Sequence, residues 1–385
     1  SVLLPIKRHL LLLLICVFTA IYSSIYPQGI RAAEAPSGDI TDPIVRVVDI
    51  ARPAIVRIIT TEEGTLTVRF PANNNATVTF PQGGGKYPLQ LSGSGTFISS
   101  HGYILTADHV VRPPHDQSLN QSFQTTAAKD IADYVNANLH PSINWTQNTV
   151  IGAFSTDNLL SEAHYTQPTS QVFFSTDYTG TITAPDLKSI TGRTSIPMDR
   201  VEKESPPDQK DVAIIHVNLD DTPNVQVSSA SNVVPQDELT IIGFPGNGDI
   251  SQRPTTILTS STNKVYVSAI KQNDAGAPLI QVGGNVGQGD SGGPALNSNG
   301  NIVGVVSFTT SDISNGINFL QDSRSATELI NTLKLDIKPG KFQQAWTKAL
   351  NDYATTTPGH WNQTNRELRQ LSNTYPDFHA LDRYI

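Results

Sequence analysis

Residues 289–294 read Gly-Asp-Ser-Gly-Gly-Pro, and this string decides more about the fold than any other part of the chain. A serine that acts as a nucleophile needs an exposed hydroxyl beside backbone N–H groups that can stabilise a developing oxyanion. Glycines on both sides of Ser291 allow the tight, partly left-handed backbone path that turns those N–H groups inward. A glycine-rich surface turn is the alternative for a shorter Gly-x-Ser-Gly string, but the full string favours a nucleophile.

A nucleophilic serine needs a base, and the base needs a carboxylate that orients it. Residues 106–110 read Thr-Ala-Asp-His-Val, which places His109 directly after a predicted strand and among apolar neighbours. Residues 210–215 read Lys-Asp-Val-Ala-Ile-Ile, which places Asp211 at the start of a buried strand. Taken alone, an aspartate there is as often a simple turn residue at a strand entry. The order along the chain is therefore His109, Asp211, Ser291.

Length and composition argue against several other classes of protein. The chain has 385 residues, enough for two or three domains. Its net charge is −8 and it has no basic stripe, so we expect no sequence-independent binding to nucleic acid. It has one cysteine, Cys16, which excludes an intrachain disulfide and argues against a Cys/His zinc site. We expect no metal and no cofactor.

The hydrophobic pattern favours β structure over most of the chain. Short runs rich in Val, Ile and Thr, separated by Gly, Pro and Asn turns, extend from about 54 to 320, as in barrels or sandwiches. A short helix is predicted at 42–50, and an amphipathic helix at 127–139. The last stretch is different, with helical patterns at 325–335, 341–354 and 360–371.

Residues 1–35 have the three-part pattern of a secretory signal. Basic Lys7 and Arg8 precede an apolar run at 10–21, and residues 33–35 supply small residues for a cleavage site. The pattern predicts a cleaved signal, with an uncleaved membrane anchor as the alternative. A mature chain without cysteine favours an exported bacterial protein, either secreted or at the cell surface.

Together, the three strings around His109, Asp211 and Ser291 resemble those of the chymotrypsin-fold (trypsin-like) serine peptidases. The match is closer to the bacterial HtrA/Deg-type branch, whose segments residues 51–58 and 93–106 resemble, as do residues 242–245 and 316–319. The resemblance covers roughly 42–111 and 197–331. It implies an all-β fold of two six-stranded antiparallel β-barrels, with a large insertion in the first barrel and a small α-helical C-terminal extension.

The domain boundaries follow from this resemblance. We expect a signal peptide or membrane anchor at 1–35, an N-terminal barrel at 36–225 with the insertion at about 112–195, a C-terminal barrel at 226–330 and a helical extension at 331–385. The extension is too short for the PDZ domain usual in HtrA proteins. The insertion is either a decorative lobe, which we favour, or a lobe that gates substrate.

The resemblance also implies a function, which is that of an exported serine endopeptidase acting through an acyl-enzyme on a polypeptide substrate. Ser291 would be the nucleophile, His109 the general base and Asp211 the group that orients the imidazole. The N–H groups of Gly289 and Ser291 would form the oxyanion hole. The alternative is a catalytically retired peptide-binding module on a protease scaffold. Membrane contact is expected only through an uncleaved N-terminal segment, and the oligomeric state is left open.

A second group of residues is expected to bind the substrate. The segment Ser307-Phe308-Thr309 resembles an edge that pairs with an extended substrate backbone, and Gly316 is placed in the same site. Asn285, six residues before Ser291, would lie at the base of the specificity pocket. Because Asn285 is neutral, we expect a preference for small or medium uncharged side chains.

Overall fold

The computed structural model describes residues 40–175, 195–228, 232–245, 257–287, 290–307, 318–355, 360–376, 378 and 380–385. The strands are β1 Ile55–Phe70, β2 Ala76–Phe80, β3 Tyr87–Phe97, β4 Tyr103–Thr106, β5 Leu160–Tyr165, β6 Thr169–Phe174, β7 Ser195–Ser205, β8 Val212–Val217, β9 Glu238–Gly243, β10 Ser261–Gln272, β11 Pro278–Gly283, β12 Pro294–Leu296, β13 Ile302–Ser307 and β14 Asn318–Asp322. The α-helices are α1 Pro43–Ala51, α2 Asp108–Val111, α3 Gln117–Asn138, α4 Gln147–Ser155, α5 Ser323–Leu333, α6 Lys341–Tyr353 and α7 His360–Thr374.

The strands close into two antiparallel barrels. In the first, the ring runs β1-β3-β4-β8-β7-β6 and returns to β1, and in the second it runs β10-β11-β14-β13-β12-β9. Closure removes the exposed sheet edges that would otherwise invite further pairing. The expected all-β fold of two six-stranded barrels is therefore confirmed.

Strand β1 is long enough to belong to two layers of structure. Its first part pairs with β3 and β6, inside the barrel ring. Its second part extends beyond the ring and pairs with β2 on one side and β5 on the other. The Asn-rich turn between β1 and β2 has Asn74 in the left-handed region, at φ 57°, which asparagine tolerates better than most residues.

One apolar cluster holds the two barrels together. It contains Ile55, Ile58 and Ile214 from the first barrel and Ile242 and Val305 from the second, all of them buried. Each such side chain contributes roughly 1.5–3 kcal/mol when it leaves water. The barrels are therefore packed on a shared core, and the crevice between them has a defined shape.

Helices α3 and α4 cover the outer part of β1. Their apolar residues form a second cluster with Leu66 and Val68, in which Phe123 and Ile131 are fully buried. Helix α3 begins at the N-cap Asp116, which accepts a hydrogen bond from the Leu119 N–H at 2.9 Å. The segment 112–195 thus contains these helices and β5, but it also contains β6, a strand of the barrel ring. Residues 176–194, which fall within the β-rich region predicted from about 54 to 320, lie outside the described residues.

The C-terminal helices pack on the first helix of the chain. Trp346 and Phe342 of α6 are fully buried in a cluster that includes Ile40 and Leu368. The Trp346 indole N–H donates to the Asp49 carbonyl of α1 at 3.3 Å. The helical pattern predicted at 341–354 is therefore present as α6, and its apolar side chains pack in this core, although Ala345 is exposed.

Replacing Trp346 by Ala is expected to lower the free energy of unfolding by about 3–5 kcal/mol, because it removes a fully buried aromatic side chain and leaves a cavity. Denaturant unfolding followed by circular dichroism measures this loss. Trp361→Ala is the matched control, since Trp361 is half exposed and should cost about 1 kcal/mol or less. Equal losses in the two variants would contradict the structural role of α6.

Within the described parts of the chain, no helix combines the length and the apolar character that a membrane crossing requires. The predicted leader at 1–35 lies outside those parts.

Candidate active site

Asp211 is held at the start of β8 by a tight turn. Its backbone N–H donates to the Pro206 carbonyl at 3.0 Å, and its φ of 44° lies in the left-handed region. Aspartate visits this region more readily than most residues. The side chain is 2% exposed, so the carboxylate must find its hydrogen-bond donors within the protein.

His109 supplies two of those donors. Strand β4 ends at Thr106, and the short helix α2 that follows carries His109. The His109 backbone N–H donates to Asp211 Oδ1 at 3.1 Å, and Nδ1 lies 2.8 Å from Asp211 Oδ2. An ionised carboxylate only accepts, so Nδ1 carries the proton and Nε2 is left as the acceptor. The structure therefore brings together two of the three predicted catalytic residues.

Ser307 supplies the third donor to the same carboxylate. Its hydroxyl donates to Asp211 Oδ2 at 2.5 Å. The sequence predicted Ser307 only as part of a substrate-binding edge, and this contact with Asp211 was missed. Ser307 is the last residue of β13, so the second barrel helps to hold a carboxylate that belongs to the first.

The backbone around Ser291 is folded against the end of β4. Gly292 has a φ of +86°, and its N–H donates to the Val306 carbonyl at 2.8 Å. A Cβ added at Gly292 would lie 2.2 Å from Thr106 Oγ1 and 3.0 Å from Ala107 N. Only glycine fits both the conformation and the space. Ser291 is therefore next to a residue that touches the segment leading into His109.

Ser94 of β3 joins the two barrels at this point. Its N–H donates to the Ser291 carbonyl at 2.8 Å, and its hydroxyl accepts from the Phe244 N–H at 2.9 Å. Its carbonyl accepts from Thr106 Oγ1 at 2.8 Å. Sequence reasoning assigned Ser94 no role, and its only signal was the flanking Gly93 and Gly95. Ser94 thus positions the loop that carries Ser291.

Ser291 itself is nearly buried, at 7% exposure. Among the described residues, no hydrogen bond joins Ser291 Oγ to His109, and the Ser291 N–H has no acceptor. Gly289, the other predicted oxyanion-hole residue, lies outside the described part of the chain.

The specificity pocket stays a prediction. Asn285 follows β11 and is exposed. Phe308, Thr309 and Gly316, the substrate-binding residues expected beside Ser307, lie outside the described residues.

Two buried aspartates beside the catalytic residues have raised pKa values. The pKa of Asp108 is raised to about 8, chiefly by burial, with smaller contributions from a hydrogen bond with Glu204 and from the charges of Glu204 and Asp211, while the charge of Arg112 opposes the shift. Burial also raises the pKa of Asp290 to about 6, against a hydrogen bond from the Gly287 N–H, which lowers it. Where the chain is described, no group of three or more His, Cys, Asp or Glu side chains is placed to hold a metal ion.

Because the pKa of Asp108 is raised, we expect the free energy of unfolding to depend on pH. Its pKa in the folded protein is about 8, above its ordinary value of 3.8. Between these values the folded state binds more protons than the unfolded state, so the free energy of unfolding falls as pH rises. Asp108→Asn keeps a donor for Glu204 but cannot ionise. The variant should therefore gain about 1 kcal/mol or more over the wild type between about pH 5 and pH 9.

Denaturant unfolding at a series of pH values measures this difference. Asp274→Asn is the control, because Asp274 is exposed and its replacement should leave the pH dependence unchanged. Parallel pH curves for Asp108→Asn and the wild type would show that Asp108 does not titrate in this range.

Comparison with known proteins shows the family of this chain. Residues 93–305 match the family model described as a trypsin-like peptidase domain, and the matched range contains His109, Asp211 and Ser291. The chain belongs to the trypsin-like peptidase family. No significant match exists among curated proteins.

Solved structures similar to this trypsin-like peptidase include an HtrA-type protease and Deg5. One is the HtrA-type protease AlgW with a decapeptide, with 15% sequence identity and a TM-score of 0.42, covering 74% of this chain and 66% of that one. Another is Deg5, with 15% identity and a TM-score of 0.40, covering 75% of this chain and 93% of that one. The chain thus spans just under two thirds of the AlgW protein.

Proposed function

We propose that this trypsin-like peptidase is a serine endopeptidase that cleaves polypeptides through an acyl-enzyme formed on Ser291. The observation that carries the proposal is the hydrogen-bonded pair of His109 and Asp211, 2.8 Å apart, with the Ser291 loop bonded to the same barrel through Ser94. A pair of this kind is what converts an alcohol into a nucleophile.

His109 transfers the proton in the first half of the reaction, in which the acyl-enzyme forms. With its proton on Nδ1, the imidazole takes the Ser291 hydroxyl proton at Nε2 while Oγ forms a bond to the substrate carbonyl carbon. The electron pair of the C=O bond moves to oxygen, where the N–H groups of Ser291 and Gly289 would stabilise it. Nε2–H then protonates the leaving amine as the C–N bond breaks, which leaves an ester on Ser291.

Water completes the cycle by the same route. His109 Nε2 accepts a proton from water, the hydroxide oxygen bonds to the ester carbon, and the C–Oγ bond breaks as Ser291 recovers its proton. Asp211 stabilises the imidazolium that forms twice in this cycle. Its three donors, from His109 N, His109 Nδ1 and Ser307 Oγ, keep the carboxylate in one orientation.

The test is reaction with a fluorophosphonate, which attaches to an activated serine. We expect one label per chain, located on Ser291 by peptide mass spectrometry and lost when the protein is unfolded. A chain that does not react, although folded, would contradict the proposal.

The alternative is a retired protease scaffold that binds peptides without cleaving them. It is favoured by one observation, the missing hydrogen bond between Ser291 Oγ and His109 among the described residues. Bonds of this kind are often long without substrate and tighten in the reacting complex. The labelling experiment separates the two functions, because a retired site binds peptide but does not react.

Export and cleavage preference belong to the same proposal. The leader pattern at 1–35 supports a secreted or surface-attached bacterial enzyme, and the neutral Asn285 supports a preference for small or medium uncharged residues. The amino-terminal sequence of the mature protein tests the first, and a cleavage-site profile tests the second.

A further inference from the structure

A cavity of about 470 Å³ lies beside the helix that carries His109. One wall is Glu62 of β1, and a second is formed by Arg112 and His115. A third is formed by Tyr165, the last residue of β5, and by the turn between β5 and β6. The cavity exists because β1 changes partners here. Thr61 pairs with β6 and Gly64 pairs with β5, so Glu62 faces the gap between those two strands.

Glu62 is an unusual residue for such a wall, because it is charged and fully buried. Its Oε1 lies 2.7 Å from His115 Nε2. Its Oε2 is also buried and has no hydrogen-bond partner. A buried carboxylate oxygen without a donor is costly, and a cation bound in the cavity would remove that cost.

The other charged and aromatic groups of the cavity are engaged with neighbouring side chains. Arg112 is the cation that lines it, but its Nε donates to Glu204 at 2.5 Å. The His115 ring packs against the Tyr165 ring, with centroids 4.0 Å apart and the ring planes tilted by 32°. Burial raises the pKa of the Tyr165 phenol, and the charges of Glu62 and Asp116 raise it further. The charges of Glu62 and Asp116 are therefore both felt at the wall that Tyr165 forms.

The cavity lies on the side of the active site where the leaving group of the proposed reaction would depart. His109 protonates the leaving amine, so the residues that follow the cleaved bond pass on the side of His109 and its helix. Arg112 follows His109 by one helical turn, which is about 5 Å along a helix. Each extended substrate residue spans roughly 3.3 Å. The cavity mouth is therefore about one to two residues past the cleaved bond.

We propose that this cavity is a binding site for an arginine or lysine side chain of the substrate, on the C-terminal side of the cleaved bond, with Glu62 as the residue that selects it. The proposal rests on the proposed endopeptidase function and adds a specificity determinant to it. It also gives the segment 112–195 a part in substrate binding, because His115 and Tyr165 belong to that segment.

A cleavage-site profile of a random peptide library, read by mass spectrometry, tests the site. We expect wild-type protein to enrich Arg and Lys at one position about one to two residues after the cleaved bond. Glu62→Gln should reduce that preference roughly tenfold, because it removes a charge-assisted hydrogen bond. Ser291 labelling by the fluorophosphonate, which does not fill the cavity, is measured on the same variant and reports separately on whether the serine is still reactive.

Glu63→Gln is the matched control. Glu63 is the next residue of β1, it carries the same charge, and it is exposed, so the preference should persist. His115→Arg is a second variant, useful if Glu62→Gln does not fold. It places a fixed cation beside Glu62, on a half-exposed side chain, and should also abolish the preference.

Two results would overturn the inference while leaving the enzyme intact. One is cleavage by the wild type without basic residues enriched after the cleaved bond, and the other is a preference that survives both Glu62→Gln and His115→Arg. Absence of both cleavage and labelling in the folded wild type would instead overturn the proposed function, and this inference with it.

Discussion

Ser291→Ala is expected to lower the turnover of peptide substrates by roughly 10⁴-fold or more, because it removes the atom that forms the acyl-enzyme. The remaining activity would come from the oxyanion donors and from substrate binding alone. Release of peptide fragments, measured at saturating substrate, gives the comparison. Because Ser291 is nearly buried in a loop held by Ser94 and Val306, the loss of one oxygen should leave the loop in place.

Ser298→Ala controls for the substitution. Ser298 lies in the exposed turn between β12 and β13, and its variant should keep wild-type turnover. Ser291→Ala should also fail to react with a fluorophosphonate while unfolding at the same denaturant concentration as the wild type. Turnover within tenfold of the wild type would show that another residue is the nucleophile.

The second large effect is expected from Asp211→Asn, which should lower turnover by about 10⁴-fold. An amide in this position can donate to His109 Nδ1, which would place the imidazole proton on Nε2. Nε2 could then no longer accept the Ser291 proton. The change alters no atom of the nucleophile, so its effect reports on the protonation of His109.

Asp208→Asn is the matched control for that variant. Asp208 lies in the same turn and is exposed, so its replacement removes an equal charge without touching His109. We expect wild-type turnover from it, and we expect Asp211→Asn to be labelled far more slowly by a fluorophosphonate. Equal labelling rates in the two variants would mean that Asp211 does not orient the base.

Local sequence patterns were sufficient for the elements with strong periodicity. The helix expected at 42–50 is present as α1, and the Asp42 side chain caps it by accepting from the Ile44 N–H at 2.9 Å. The helix expected at 127–139 is longer than predicted, since α3 begins at Gln117. Its first turns contain Leu119 and Phe123 among Ser, Gln and Thr residues, so the apolar spacing there was too sparse to recognise.

The residue types and order of the proposed triad were also readable without a structure. Gly-rich flanks around Ser291 and strand patterns beside His109 and Asp211 are local features. The contact between His109 and Asp211, at 2.8 Å, is the part that the structure adds.

The chain's own sequence thus determined the β character of the fold, the paired barrels expected from its motifs, and which side chains could carry the chemistry. Tertiary structure alone decided that Ser307 donates to Asp211, that Ser94 holds the Ser291 loop, and that Glu62 meets His115 in a cavity. The physical reason is how far apart along the sequence the interacting residues lie. Strand periodicity and turn chemistry act over a few residues, whereas these contacts join distant strands and depend on how the two barrels share one core.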